Sequence, residues 1–498
     1  MKPNPIEQAR AIEGGKVSAL TRWSYGLGCI GRDANYTLFA NFMMTYLTLA
    51  VGLTDPQLAI VGVIVVVGRI WDGVNDPLMG TIIDNTKTRF GKFKPYIIIG
   101  AVTNAMLTVL IFSGIIDPAV NWGLFIVMFG ISYLLWDITY TMNDIGYWSM
   151  LPSLTINPKE RERVSSLARI GANIGLFAVT ALVPLFSAGV KLLPAYRAIA
   201  IGVAVLFVAC QVLVVLGVKE QKNAITKAES HVGLKDMFKV IFKNDQLLAI
   251  IVSILLFNIG YFTTTGFGMQ FFYFDYGNYG GMEFTLFAIT IGISQIITLT
   301  FYPQLAKRLN RKQLFGLAIG LVVLGYLGFM AVGYLFPMNM VILCIIGFVL
   351  FSGQAIIQLL NLVLLADTIE YGQWKFGTRN EGIVFSLNPF INKVASAFQA
   401  LIFAVTMIIS GLNRYNQQIN LLEKDTTLTK EQILEKGNQL VATIPSHMNL
   451  IMRLSMIVLP LALILASYVI YRTKYKIDDK MYAQIITDLE KRAETPGG

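Results

Sequence analysis

Long apolar runs separated by short polar turns repeat along the whole chain. A helix needs about 20 mostly apolar residues to cross a bilayer, and twelve runs of the sequence approach or exceed that length. Short breakers such as Asp55-Pro56 and Asp117-Pro118 stand between neighbouring runs. The pattern predicts an all-α membrane protein with twelve transmembrane helices, at residues 24–50, 57–83, 95–116, 122–150, 165–188, 196–218, 247–272, 284–306, 314–336, 339–366, 383–411 and 449–471.

Two longer polar segments, 219–246 and 412–448, organise these runs. The first divides them into two groups of six, which is the arrangement of two-lobed secondary transporters. Part of the second, 425–440, predicts a short external helix that is more typical of a solvated surface than of a binding site. The predicted domains are an N-terminal six-helix lobe at 1–218, a cytoplasmic middle loop at 219–246, a C-terminal six-helix lobe at 247–471 and a cytoplasmic tail at 472–498.

Composition narrows the class of protein. Only 14% of the 498 residues are charged, whereas soluble chains carry about 25%, so a water-soluble protein is excluded. The net charge of +10 is scattered over short loops, a pattern that does not indicate nucleic-acid binding. All three cysteines fall inside predicted spans, so no disulfide framework is expected. The polar start of the chain predicts no cleavable signal peptide.

Lys and Arg are distributed unequally between the two sets of loops. With the N-terminus in the cytoplasm, 29 of the 40 lie on the cytoplasmic side and six on the outer side. Cytoplasmic loops of membrane proteins carry such an excess. Both termini are therefore predicted to be cytoplasmic.

Several charged residues lie inside the predicted spans. An ionised side chain at mid-membrane costs about 2.5–3.5 kcal/mol on insertion scales, so each one is a candidate for function. The alternative for any single residue is a paired charge that locks two helices together. The set comprises Arg32, Asp33, Arg69, Asp72, Asp76, Asp137, Asp144, Arg169 and Lys393.

The spacing of acids in the second span indicates a cation site. Asp72 and Asp76 are four residues apart, so their carboxylates share one face of a helix, with Asn75 beside them. Such carboxylates repel each other unless a cation lies between them. Hard cations prefer oxygen ligands, and the side-chain oxygens of Asn75 and Thr141 would complete a set of such ligands. A proton needs only a carboxylate. The coupling ion is therefore predicted to be Na⁺ in preference to H⁺, with no other cofactor.

The fourth span carries groups that suit a sugar. Asp144 and Trp148 are four residues apart, and Tyr140 lies one turn earlier on the same face. Carboxylates accept hydrogen bonds from hydroxyls, arginines donate to them, and an indole covers the apolar face of a pyranose. Asp33 and Arg169 add to this set, although Trp148 alone would also fit an interfacial anchor.

Enzymatic chemistry is not supported. The two histidines, His231 and His447, lie in polar loops far apart in sequence, which favours neither a His-based triad nor a His-rich metal site. No Gly-Lys-Ser/Thr phosphate loop is present to use ATP. Energy for transport is therefore expected from an ion gradient.

A long motif places this chain beside a known family. The block RIWDGVNDPLMG at 69–80, with Asp84 and GKFKP at 91–95, closely resembles the signature of the glycoside-pentoside-hexuronide:cation symporters of the major facilitator superfamily. The resemblance implies that superfamily's fold, a bacterial cytoplasmic (inner) membrane location, and co-transport of a sugar with a cation. The likeness covers nearly the whole chain, continuing at 23–26, 31–33, 140–152, 159–163, 243–247 and 366–372.

The resemblance also implies roles for individual positions. The cation site would comprise Asp72, Asn75, Asp76 and Thr141, in agreement with the spacing. The substrate site would comprise Arg32, Asp33, Tyr140, Asp144, Trp148 and Arg169 from the first lobe, and Asn258, Gln358 and Lys393 from the second.

Four positions depart from the best-known member of that family, and at the first of them Arg32 stands in place of a lysine. Gln358 and Pro389 stand where it has tryptophan and threonine near its sugar pocket, which implies a different substrate. Asp137 replaces a glycine one turn from Thr141, and either joins the cation or proton path or forms a salt bridge with an arginine.

The predicted function is import of a sugar or glycoside with Na⁺ or H⁺. Two alternatives remain at this point: a proton-coupled carrier of a hexuronide or other anionic glycoside, and a sugar sensor without transport. The expected partners are the sugar, a monovalent cation and the lipid bilayer. Because two lobes supply a complete pathway, a monomer is expected to suffice.

Overall fold

A computed structural model of the chain describes residues 17–86, 88–155, 158–187, 190–218, 242–377 and 381–494. The described residues form helices and contain no β-strand. A helix lies at each of the twelve predicted spans. Ten of the described helices are long and apolar enough to cross a membrane, and the first two helices are not among those ten. The all-helical architecture is confirmed, while the count of twelve crossings and the side of each terminus stay predictions.

Two compact units divide the chain. The first contains α1 (Ala19–Thr45, continued by a π-helical segment, Tyr46–Val51), α2 (Asp55–Asn85), α3 (Lys94–Ile111), α4 (Trp122–Leu154), α5 (Pro158–Ser187) and α6 (Leu192–Gly217).

Local sequence explains where these helices begin and how closely they pack. Thr54 and Gln57 form a capping box at the start of α2, and the side chain of Asn121 caps α4 by accepting from Leu124 N. Helices α1 and α5 approach closely because Gly171 and Gly175 expose backbone where any Cβ would meet carbonyl oxygens of α1.

The second unit is also helical. It contains α7 (Asp245–Gly266, extended by Gly268–Gln270 and a π-helical segment, Phe271–Asp275), α8 (Glu283–Arg308), α9 (Arg311–Ala331), α10 (Met340–Phe376), α11 (Glu381–Ser410), α14 (Ser446–Arg453, extended by a π-helical segment, Leu454–Val458), α15 (Leu459–Lys474) and α16 (Asp479–Glu494).

Buried polar contacts join the helices of this unit. The guanidinium of Arg453 pairs with Asp275 and donates to Val332 O at 2.5 Å, so both charges are satisfied away from water. The tail helix α16 packs on α10, where Asp488 accepts from the indole of Trp374 at 3.1 Å.

Two helices between α11 and α14 cross the boundary between the units: α12 (Asn413–Lys424) and α13 (Lys430–Ala442). The segment 417–431 groups with the first unit, whereas the predicted C-terminal lobe, 247–471, includes this segment. The predicted external helix at 425–440 corresponds largely to α13, whereas α12 had not been predicted. The predicted middle loop, 219–246, lies mostly outside the described residues.

Candidate functional site

Arg32 occupies the centre of a charged cluster between α1 and α4. Its Nη2 lies 2.8 Å from Asp33 Oδ2, and its Nη1 lies 3.1 Å from Asp144 Oδ1. The guanidinium is only 3% exposed, whereas the two carboxylates are 24% and 26% exposed. The carboxylates therefore keep acceptor capacity toward an accessible side, which is what recognition of hydroxyl groups requires.

Aromatic rings surround this cluster. The Cζ of Arg32 lies 4.9 Å from the ring centroids of both Tyr147 and Trp148, a cation–π arrangement on α4. Tyr140 stacks on Trp136 with centroids 5.2 Å apart and lies 5.1 Å from Tyr36. Tyr147, Trp136 and Tyr140 are buried, whereas Trp148 is partly exposed beside charged hydrogen-bonding groups, the combination that pyranose rings bind.

A buried network of neutral side chains fixes the helices behind these rings. Asn35 donates to Asn104 Oδ1 at 2.6 Å, and Thr108 donates to Asn35 Oδ1 at 2.9 Å. Thr108 in turn accepts from the indole of Trp136 at 2.8 Å. Sequence reasoning missed this network because it carries no charge; the polar residues inside apolar runs were the signal available.

A second set of polar side chains lies between helices α2 and α4. Arg69 Nη1 lies 3.3 Å from Asp72 Oδ2 and 3.6 Å from Asp137 Oδ1, with all three side chains at most 4% exposed. Further along, Thr141 donates to Asp76 Oδ1 at 3.0 Å. Asp137 therefore forms a salt bridge with Arg69, which is one of the two roles that the sequence left open for it.

The predicted cation ligands lie on α2 and α4. Asp72, Asn75 and Thr141 are buried, and Asp76 is half-buried. Their side chains supply oxygens from both helices, and oxygens are the ligands that a small hard cation prefers. No group of three or more His, Cys, Asp or Glu side chains among the described residues is placed to hold a metal. Asn75 and Thr141 would add neutral oxygens to the two carboxylates in the predicted ligand set.

Helix α4 carries members of both sets. Thr141, which bonds Asp76, and Asp144, which pairs with Arg32, are three residues apart and so lie about one turn apart on one helix. The two sets of polar groups therefore share one helix, α4.

The remaining predicted substrate residues lie elsewhere. In the second unit Asn258 donates to Asn392 Oδ1 at 2.7 Å, Gln358 is half-buried, and Lys393 is buried. Arg169 is exposed on α5, and no described contact joins it to Arg32. The roles of these four, like those of the other predicted site residues, stay predictions.

Comparisons with known proteins match this picture. The sequence profile described as MFS/sugar transport protein matches residues 24–479. The chain is 30% identical over 491 residues to a lactose permease of Leuconostoc lactis, covering 94% of this chain and 71% of that protein. It is 28% identical to a raffinose carrier protein of Pediococcus pentosaceus over 95% of this chain and 72% of that protein.

A solved structure supports the fold. An inward-facing, unoccupied bacterial homologue of the human lysosomal transporter Spinster superposes with a TM-score of 0.62 at 10% identity, covering 97% of this chain and 99% of that one. At this identity the likeness concerns the fold alone.

Fold and sequence together define a multi-pass transporter of the bacterial cytoplasmic (inner) membrane, not an enzyme. The chain belongs to the MFS/sugar transport protein family, the glycoside-pentoside-hexuronide symporters of the major facilitator superfamily, and transports sugar.

Proposed function

We propose that this transporter is a symporter that imports a neutral glycoside, an oligosaccharide, pentoside or hexoside, together with one monovalent cation by alternating access. Na⁺ is the favoured ion and H⁺ the alternative, and no other cofactor takes part. One observation carries the proposal: α4 supplies both Thr141 to the acids of α2 and Asp144 to the Arg32 cluster. The protein acts in the lipid bilayer as a monomer.

The shared helix supplies a physical basis for coupling. A cation bound near Asp76 reduces the repulsion among the α2 acids and fixes the position of Thr141 on α4. Because Asp144 lies on the same helix, the sugar then meets a preorganised acceptor, and each ligand raises the affinity for the other. One charge moving through 100 mV releases about 2.3 kcal/mol, enough for roughly a fifty-fold sugar gradient.

The state of Arg32 favours a neutral substrate. Its guanidinium already contacts two carboxylates, so the cluster of Arg32, Asp33 and Asp144 carries a net negative charge. A substrate carboxylate placed there would be repelled. The names of the two relatives above, a lactose permease and a raffinose carrier, support a neutral glycoside as well.

Uptake by proteoliposomes tests the proposal. Labelled neutral glycosides, each matched with its uronide, are offered with and without Na⁺ at fixed pH and fixed membrane potential. We expect at least one neutral glycoside to accumulate in response to Na⁺ and its uronide not to. Accumulation of the uronide alone, driven by a pH gradient, would support the anionic alternative. Glycoside binding without counterflow would indicate a sensor.

A further inference from the structure

Arg69 introduces a fixed positive charge into the candidate cation site. Its Nη1 lies 3.3 Å from Asp72 Oδ2, and both side chains are almost fully buried. A guanidinium at this distance competes with any inorganic cation for the same carboxylate. The predicted ligand set of Asp72, Asn75, Asp76 and Thr141 therefore needs a second acid that shares the guanidinium of Arg69 with Asp72.

Asp137 is placed to do this. Its Oδ1 lies 3.6 Å from the same Nη1 of Arg69, and its side chain is only 1% exposed. The approach depends on Gly68 of α2, where a Cβ would collide with the ring of Tyr133 and lie 3.2 Å from Asp137 Oδ2. Backbone contact at Gly68 thus brings the acid of α4 to the arginine of α2.

Asp137 contributes one of the two net negative charges of this group of side chains. The acids Asp72, Asp76 and Asp137 with Arg69 sum to a net charge of −2 when all are ionised. Without Asp137 the sum is −1, and Asp72 is the remaining ion-pair partner that the structure shows for Arg69. The charge available to attract a monovalent cation is therefore halved.

We infer that Asp137 is a positioning residue for the coupling cation: it shares the guanidinium of Arg69 and so keeps Asp72 available as a ligand. The inference rests on the proposed function, which it deepens by assigning a residue outside the ligand set. The sequence alone left two roles open for Asp137, a place in the cation path or a salt bridge. Here the salt bridge is the means by which Asp137 acts on the cation site.

Equilibrium binding of ²²Na⁺ to the purified full chain tests the inference without a known sugar. Four proteins are compared at one pH: wild type, Asp137→Asn, Asp137→Glu and the double variant Arg69→Gln/Asp137→Asn. The double variant restores the net charge of −2 in the absence of the ion pair. Circular dichroism and elution as a single species confirm that each variant is folded.

The expected Kd for Na⁺ rises about tenfold or more in Asp137→Asn, because one nearby negative charge is lost and Asp72 no longer shares the guanidinium of Arg69 with a second acid. Asp137→Glu stays close to wild type, and the double variant recovers most of the affinity. A merely structural role for Asp137 predicts the opposite, since removing both partners disturbs the packing further.

Two results would overturn the inference alone: an unchanged Kd in Asp137→Asn, or a double variant as weak as Asp137→Asn while wild type binds Na⁺. If Asp137→Asn does not fold, the double variant and Asp137→Glu still test the inference, because it requires both of them to bind Na⁺ nearly as well as wild type. Absence of Na⁺ binding by wild type is a different result, because it contradicts the proposed Na⁺ coupling itself. The inference about Asp137 rests on that coupling and would then also fail.

Discussion

Asp144 is the carboxylate on which the sugar proposal depends most directly. It lies on the exposed side of the Arg32 cluster, one turn from Trp148, which borders the same guanidinium. A hydrogen bond to a charged group contributes about 1.5–3 kcal/mol, which corresponds to a loss of roughly 10- to 150-fold in affinity when the charge is removed.

Substitution of Asp144 by Asn should therefore weaken glycoside binding about tenfold or more, measured by isothermal titration with the glycoside found in the uptake panel. Asp117→Asn is the matched control, because that acid pairs with Lys424 outside the predicted spans. Equal affinities for the two variants would remove Asp144 from the substrate site.

Close helix packing in the first unit depends on single glycines. A Cβ at Gly175 of α5 would collide with the carbonyl oxygen of Ile30, whereas nothing lies within 4 Å of a Cβ at Gly202 of α6. Backbone cannot yield as a flexible side chain can, so α1 and α5 must separate to admit a methyl group. Overpacking of this kind costs about 1–3 kcal/mol.

The Gly175→Ala variant should consequently lower the melting temperature of the detergent-solubilised protein by several degrees, while Gly202→Ala leaves it unchanged. Differential scanning fluorimetry on the intrinsic fluorescence measures both. If both alanine variants have the melting temperature of wild type, the close approach of α1 and α5 at Gly175 is not present in solution.

The segment 417–431 is held on the first unit by a small set of polar contacts. Asn420 donates to Ala50 O at 2.6 Å, and Glu423 accepts from Leu192 N at 2.7 Å. Lys424 Nζ lies 2.7 Å from Asp117 Oδ2. Gly52 allows the first contact, since it adopts a positive φ of 79° directly beneath Asn420.

Acid should release the segment 417–431. Partial burial raises the pKa of Asp117, but hydrogen bonds from Lys424 and from Ala119 N outweigh it and hold the pKa below its ordinary value of 3.8. A lowered folded-state pKa means that the ionised form stabilises docking above the ordinary value and that this contribution is lost as pH falls through the lowered value. Docking should thus be constant at neutral pH and weaken below about pH 4.

Limited proteolysis of 417–431 across this pH range, with an acid-active protease, provides the measurement. Lys424→Ala is the control, because it removes the partner and should flatten that part of the pH dependence. Identical pH profiles for wild type and Lys424→Ala would show that the Asp117–Lys424 pair does not hold the segment.

The elements were more predictable from the sequence than the contacts between them. Apolar length alone predicted a helix at every span, and the spacing of Asp72 and Asp76 predicted a shared face on α2, because both depend only on local periodicity. The pairing of Arg69 with Asp137 depends on how closely α2 meets α4 at Gly68, which no local pattern encodes. The docking of 417–431 was missed for the same reason.

At the scale of the whole molecule, orientation in the membrane stays a prediction that labelling can test. The excess of Lys and Arg on one set of loops predicts cytoplasmic termini. Thr426 and Arg308 are exposed residues predicted to lie on the outer and cytoplasmic sides, respectively. In a variant without native cysteines, a membrane-impermeant maleimide applied to intact cells should label Thr426→Cys and spare Arg308→Cys. The reverse pattern would invert the topology.

In the proposed function, the acids of α2 bind the cation that drives sugar uptake. The most direct measurement is accumulation of the labelled glycoside by proteoliposomes holding wild type, Asp72→Cys or Asp76→Cys, under an inward Na⁺ gradient at fixed pH. We expect concentrative uptake by wild type and loss of cation-driven accumulation in both variants, even when they are inserted at equal density. Concentrative uptake at the wild-type level by either variant would contradict the proposed function.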